Sequence, residues 1–124
     1  MTTRIPYDEI RRPPAPVLPI RVKPVGSTRA VLLTALVDSG ADLTVIPIRT
    51  AEELHLTEVA RIRVTGVGGA PHHVAAYAVE VETAGIASLA RVVALGESAL
   101  VGSDLLNQWT VILRGPAKVL EIEA

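Results

Sequence analysis

Asp38 stands where an apolar run, Ala35-Leu36-Val37, meets the turn residues Ser39-Gly40, and a second apolar run from Leu43 to Ile46 follows close behind. A carboxylate between two segments that favour burial is costly in its charged form unless it is hydrogen-bonded, paired or protonated. Such a group either caps a turn or does acid–base chemistry. Other chemistries are poorly supplied. The chain has no cysteine, which removes thiolate nucleophiles, disulfides and zinc sites of the Cys type. His72 and His73 are adjacent, so on a strand they point to opposite faces and cannot hold one metal together, and His55 lies in a separate stretch. The glycines of Gly66-Val67-Gly68-Gly69 are followed by Ala70-Pro71, without the helix and lysine that a phosphate cradle requires. Serine, histidine and aspartate occur in no supporting hydrolase motif. Neither a cofactor nor a metal is expected.

Strands must position these groups. Hydrophobic residues make up 49% of the chain, yet phenylalanine is absent and aromatics are 2%, so the core must be built from Val, Leu, Ile and Ala. That bias favours β-structure, and 124 residues suit one domain with a modest core. Residues 1–16 contain Pro6, Pro13, Pro14 and Pro16 and read as an extended basic arm rather than an element. From there to residue 124 short apolar runs alternate with turn signals. Strands are expected at Val17–Val25, demoted to a sheet edge by Pro19 and Pro24, then at Arg29–Val37 and Leu43–Ile46. A helix is expected at Ile48–His55. A hairpin of Glu58–Val67 and Ala70–Thr83 turns at Gly68-Gly69, and Gly85–Leu95 and Ala99–Val101 are further strands. A brief helix from Gly102 to Gln108 leads to a last hairpin, Trp109–Leu113 with Lys118–Ile122.

Three separated pieces now line up: Asp38-Ser39-Gly40-Ala41-Asp42, Gly66-Val67-Gly68-Gly69, and Leu100-Val101-Gly102-Ser103-Asp104. In this order and spacing the chain from about Val17 onward resembles the retropepsin-like aspartic proteases, a single-domain family of retroviruses and bacteria. The resemblance implies an all-β fold: a closed, mostly antiparallel barrel with one or two short helices, acting as a homodimer. It implies that each chain supplies one catalytic carboxylate, here Asp38, to a pair at the twofold axis. Ser39 would bond across that axis, and Gly40 would let the backbone approach the substrate. Ala41, Asp42, Val45 and Leu100 would line the substrate site. Gly66, Val67 and Gly68 would form the tip of a flap. The implied activity is peptide-bond hydrolysis by an activated water, without cofactor. The chain departs from many viral relatives in having Ser103 where they carry an arginine that pairs with the carboxylate matching Asp42. Trp109 is a candidate anchor for the dimer surface.

A retropepsin-fold module that binds peptides or dimerises without turnover is the alternative. The basic residues of the first thirty positions come without aromatic interleaving, so nucleic acid is not an expected partner; the expected partners are a second copy and a peptide or protein substrate. The sequence has no apolar stretch of spanning length and reads as a soluble, cytoplasmic protein with no membrane partner.

Overall fold

The computed structural model describes residues 1–65 and 69–124, which form ten strands and two short helices. Six strands close a mixed barrel in the order β2 (Val17–Pro24), β3 (Val31–Val37), β8 (Ala99–Val101), β4 (Val45–Ile46), β7 (Ile86–Ala94) and β6 (His72–Thr83), with β6 returning to β2. β5 (Glu58–Val64) hangs from β6 outside this ring. Most pairings are antiparallel; β3 with β8 and β4 with β7 are parallel. The period-2 pattern explains the closure. Leu18, Ile20 and Val22 of β2 and Val79 and Val81 of β6 point inward and are fully buried, while Pro19 and Arg21 between them face out. Each such aliphatic side chain contributes roughly 1.5–3 kcal/mol by leaving water.

β2 is not an edge. It pairs with β3 from Val17 to Val22 and with β6 from Arg21 to Pro24. Pro19 lies before the β6 pairing begins and Pro24 lies past the β3 pairing, so each proline has only one ladder to satisfy. The carbonyl of Pro19 instead accepts the buried Thr83 hydroxyl at 2.8 Å.

The first residues also depart from expectation. Thr2–Pro6 form strand β1, paired antiparallel with β10 (Val119–Glu123), which pairs in turn with β9 (Thr110–Arg114). Alternation of Thr3 and Ile5 against Arg4 lets one face pack over Leu120 and Ile122 while Arg4 reaches Glu121 at 3.5 Å. The prolines at 13, 14 and 16 lie beyond this strand and do not interrupt it. Residues 1 and 124 meet, with the Ala124 amide donating to the Met1 carbonyl at 2.9 Å.

Helix α1 spans Ile48–Glu53 and ends two residues short of the expected His55. His55, which follows the buried C-cap residue Leu54, adopts a left-handed φ of 49° and ends the helix. Helix α2 is one turn, Ser103–Leu106, with Leu105 in the core. The β6–β7 hairpin turns at Ala84-Gly85, both with positive φ, as a two-residue loop between twisted strands requires.

Candidate active site

The Asp38 loop is built by the parallel β3–β8 pair. Ala35, Leu36 and Val37 lie opposite Ala99, Leu100 and Val101. The Asp38 amide carries the ladder one step further by donating to the Val101 carbonyl at 2.9 Å. On the other side, the Val37 amide donates to Pro16 at 3.0 Å. The chain then turns sharply: the Gly40 amide donates to Asp38 Oδ1 at 3.0 Å and the Ala41 amide to the Asp38 carbonyl at 3.2 Å. A Cβ on Gly40 would lie 3.3 Å from that same Oδ1, so the turn is tight at this point.

The dry setting expected around Asp38 is not supplied by one chain. Asp38 is half-buried, and Ser39, Gly40 and Asp42 are exposed. The apolar runs on either side do go into the barrel, but they leave the loop itself at the surface. A separate cavity of about 620 Å³ lies between the β2–β3 and β6–β7 strands, lined by Ile20, Leu33, Thr83 and Ile86 among others, and contains none of the expected site residues.

Beneath the loop runs the segment 102–104. Gly102 has no room for a side chain: a Cβ there would meet the Leu43 backbone at 2.7 Å and the Ala41 carbonyl at 2.8 Å. The Ser103 amide donates to the Ala41 carbonyl at 2.8 Å, the Ser103 hydroxyl to the Ser39 carbonyl at 3.0 Å, and the Asp104 amide to the Asp42 carbonyl at 3.2 Å. Thr44 is fully buried; its hydroxyl donates to Asp104 Oδ1 at 2.7 Å and accepts the Gly102 amide at 3.1 Å. The Thr44 amide donates to Asp104 Oδ2 at 3.1 Å, and Oδ1 also accepts the Leu105 amide at 2.8 Å.

Of the residues expected to line the site, Val45 and Leu100 are direct partners across the β4–β8 pairing and are half-buried. Val45 and Leu43 pack with Ala60, Ile62 and Val64 of β5 around buried Val74, Ala76 and Val93. This apolar cluster joins the loop to the base of the β5–β6 hairpin. Ala41 is half-buried beside the exposed Asp42. Gly66, Val67 and Gly68 lie outside the described residues. Trp109 is half-buried, and its indole N–H donates to Ser88 Oγ of the same chain at 3.0 Å.

Thr44, Ser103 and Asp104 were not among the expected site residues. A signal for Thr44 was present. It is a hydroxyl inside the apolar run Leu43–Ile46, and a buried hydroxyl must find partners. Nothing in the local sequence says that its partner is an aspartate 60 positions away. Among the described residues no helix is long and apolar enough to cross a membrane.

The model of the family described as "Aspartyl protease" matches residues 20–104. The fold is similar to that of a retropepsin-like aspartic protease from Rickettsia conorii (TM-score 0.63, 15% identity, covering 98% of this chain and 90% of that one). It is similar as well to the retroviral protease-like domain of Ddi1 from Leishmania major (TM-score 0.55, 22% identity, 86% and 88% covered). The EIAV protease complexed with the inhibitor HBY-793 is a third (TM-score 0.54, 21% identity, 76% and 86% covered). At these identities the likeness shows the fold. No curated protein matches the sequence.

Proposed function

The chain belongs to the aspartyl protease family, with a retropepsin-like fold, and we propose that two copies meet about a twofold axis and hydrolyse peptide bonds with a water held between their Asp38 carboxylates. The observation that carries this reading is the placement of Asp38. Its backbone is fixed by Val101 and its carboxylate by Gly40, yet the loop that bears it stays open at the surface. A purely structural cap gains nothing from such exposure, whereas a second copy can bury it.

Peptide hydrolysis needs a base to activate water and an acid to protonate the departing amine. One carboxylate cannot start the reaction in both states. Two within hydrogen-bond distance cannot both ionise, so the pair holds one proton, as in aspartic proteases generally. The ionised member takes a proton from water as the water oxygen adds to the scissile carbonyl. The protonated member then delivers its proton to nitrogen as the C–N bond breaks. No covalent intermediate and no cofactor are needed.

Ser39 is assigned to the contact across the axis and Gly40 to the backbone that faces the substrate. Ala41 and Asp42 meet substrate main chain, and Val45 and Leu100 form an apolar wall that favours apolar side chains beside the cleaved bond. The β5–β6 hairpin is assigned as the lid that excludes water, the role that the resemblance gives to the segment Gly66-Val67-Gly68.

The test is cleavage of a diverse peptide pool from acid to neutral pH, at several protein concentrations, with Asp38→Ala as control. Cleavage that vanishes in the variant and rises more than proportionally with concentration is the expected result. Binding of peptides without cleavage by a folded dimer would favour the silent binding module instead.

A further inference from the structure

We propose that Ser103 is a positioning residue for the Asp38 carboxylate, acting through a single peptide plane. The Ser103 hydroxyl donates to the Ser39 carbonyl at 3.0 Å. That carbonyl and the Gly40 N–H belong to one planar unit, because rotation about the C–N bond is blocked. The Gly40 N–H at the other side of the plane donates to Asp38 Oδ1 at 3.0 Å. Holding the oxygen therefore aims the hydrogen, and the hydrogen holds the carboxylate.

Ser103 is itself well fixed. Its amide is tied to the Ala41 carbonyl at 2.8 Å, and the next residue, Asp104, is anchored through both carboxylate oxygens to Thr44. Gly102 before it is pressed against the Leu43 backbone, so the segment cannot slide. Ser103 therefore reaches the loop from a rigid support, while Ser39 and Gly40 are exposed with few restraints of their own. All of these contacts lie within one chain. The carboxylate is thus set before a second copy docks, and dimerisation joins two prepared halves instead of folding them.

The kinetic consequence rests on the protease reading above; the positioning itself does not. The full chain is compared as wild type, Ser103→Ala and Ser103→Thr, by amide exchange of Gly40, by kcat and KM on a cleaved peptide, and by urea unfolding. Ser103→Ala is expected to speed Gly40 exchange about tenfold and to lower kcat about tenfold, leaving KM and the urea midpoint near wild type. Ser103→Thr, which keeps the hydroxyl, is expected to restore both. Unchanged Gly40 exchange in Ser103→Ala overturns the proposal. So does a kcat loss that tracks a lowered urea midpoint, or failure of Ser103→Thr to restore exchange. If the wild type cleaves no peptide, the protease reading fails, and Gly40 exchange alone still decides whether Ser103 sets the loop.

Discussion

Asp104 and Thr44, 60 positions apart, meet at two points: the Thr44 hydroxyl lies 2.7 Å from one carboxylate oxygen and its amide 3.1 Å from the other. The same hydroxyl accepts the Gly102 amide, so one buried oxygen ties the residue before β4, the residue after β8 and α2 together beneath the Asp38 loop.

Thr44→Val keeps the shape and removes that oxygen. The Gly102 amide is then buried without an acceptor and Asp104 loses a charge-assisted donor. The expected loss is about 2–3 kcal/mol in urea unfolding. Thr44→Ser keeps the hydroxyl and should cost only about 1 kcal/mol for the missing methyl. Equal losses in the two variants would show that packing, not the hydrogen bonds, is what Thr44 provides.

Gly102→Ala forces a methyl group into backbone atoms that belong to the loop itself. A destabilisation of about 2 kcal/mol or more is expected, with reduced protection of the amides at 41–44. Gly115→Ala is the control. Its Cβ meets nothing within 4 Å, and a change within about 0.5 kcal/mol is expected.

Trp109→Phe removes the indole N–H bond to Ser88 within the chain. The expected result is a stability loss of about 1 kcal/mol, with the dimerisation constant unchanged. A selective loss of self-association would show that Trp109 anchors the interface between copies.

Lys23 lies 3.0 Å from Glu82 and 3.6 Å from Glu80 on the outer face of β2 and β6. Its hydrogen bond holds the Glu82 carboxyl below the ordinary 4.5, against the opposing effect of desolvation. The same bond raises Lys23 above 10.5, with the charge of Glu80 adding to it. A carboxyl whose folded pKa is depressed stabilises the fold above its unfolded value and loses that contribution as pH falls through the folded one. A raised lysine contributes below 10.5 and loses it as pH climbs through its folded value. Lys23→Met should therefore lower the urea midpoint at about pH 7, and the gap should narrow toward about pH 2 as acid protonates Glu82. A gap of the same size at both would assign the effect to the packed aliphatic stem.

Much of this architecture was legible because period-2 alternation leaves a strong trace. Leu18, Ile20 and Val22, or Val79 and Val81, announce a strand with one buried face whatever they pair with. Pairing partners leave no such trace. Pro19 and Pro24 read locally as edge residues, and only the staggered ladders on the two sides of β2 show why both fit inside a closed barrel. The arm at residues 1–16 misled for a related reason. Its prolines are local signals, but Thr3 and Ile5 form a strand because β10, more than a hundred positions later, offers an open edge. At the site, the turn Asp38-Ser39-Gly40 could be read from residue types, whereas its support by Ser103, Asp104 and Thr44 is a long-range fact.

The bond between the Ala124 amide and the Met1 carbonyl brings residue 124 back beside residue 1. A linker of a few residues could join residue 124 to residue 1 without disturbing β1 or β10. New ends could then be opened at Ala84-Gly85, where the turn is local and its removal breaks no strand. The order of the strands along the polypeptide is thus separable from their order in the barrel, which makes the scaffold suited to circular permutation.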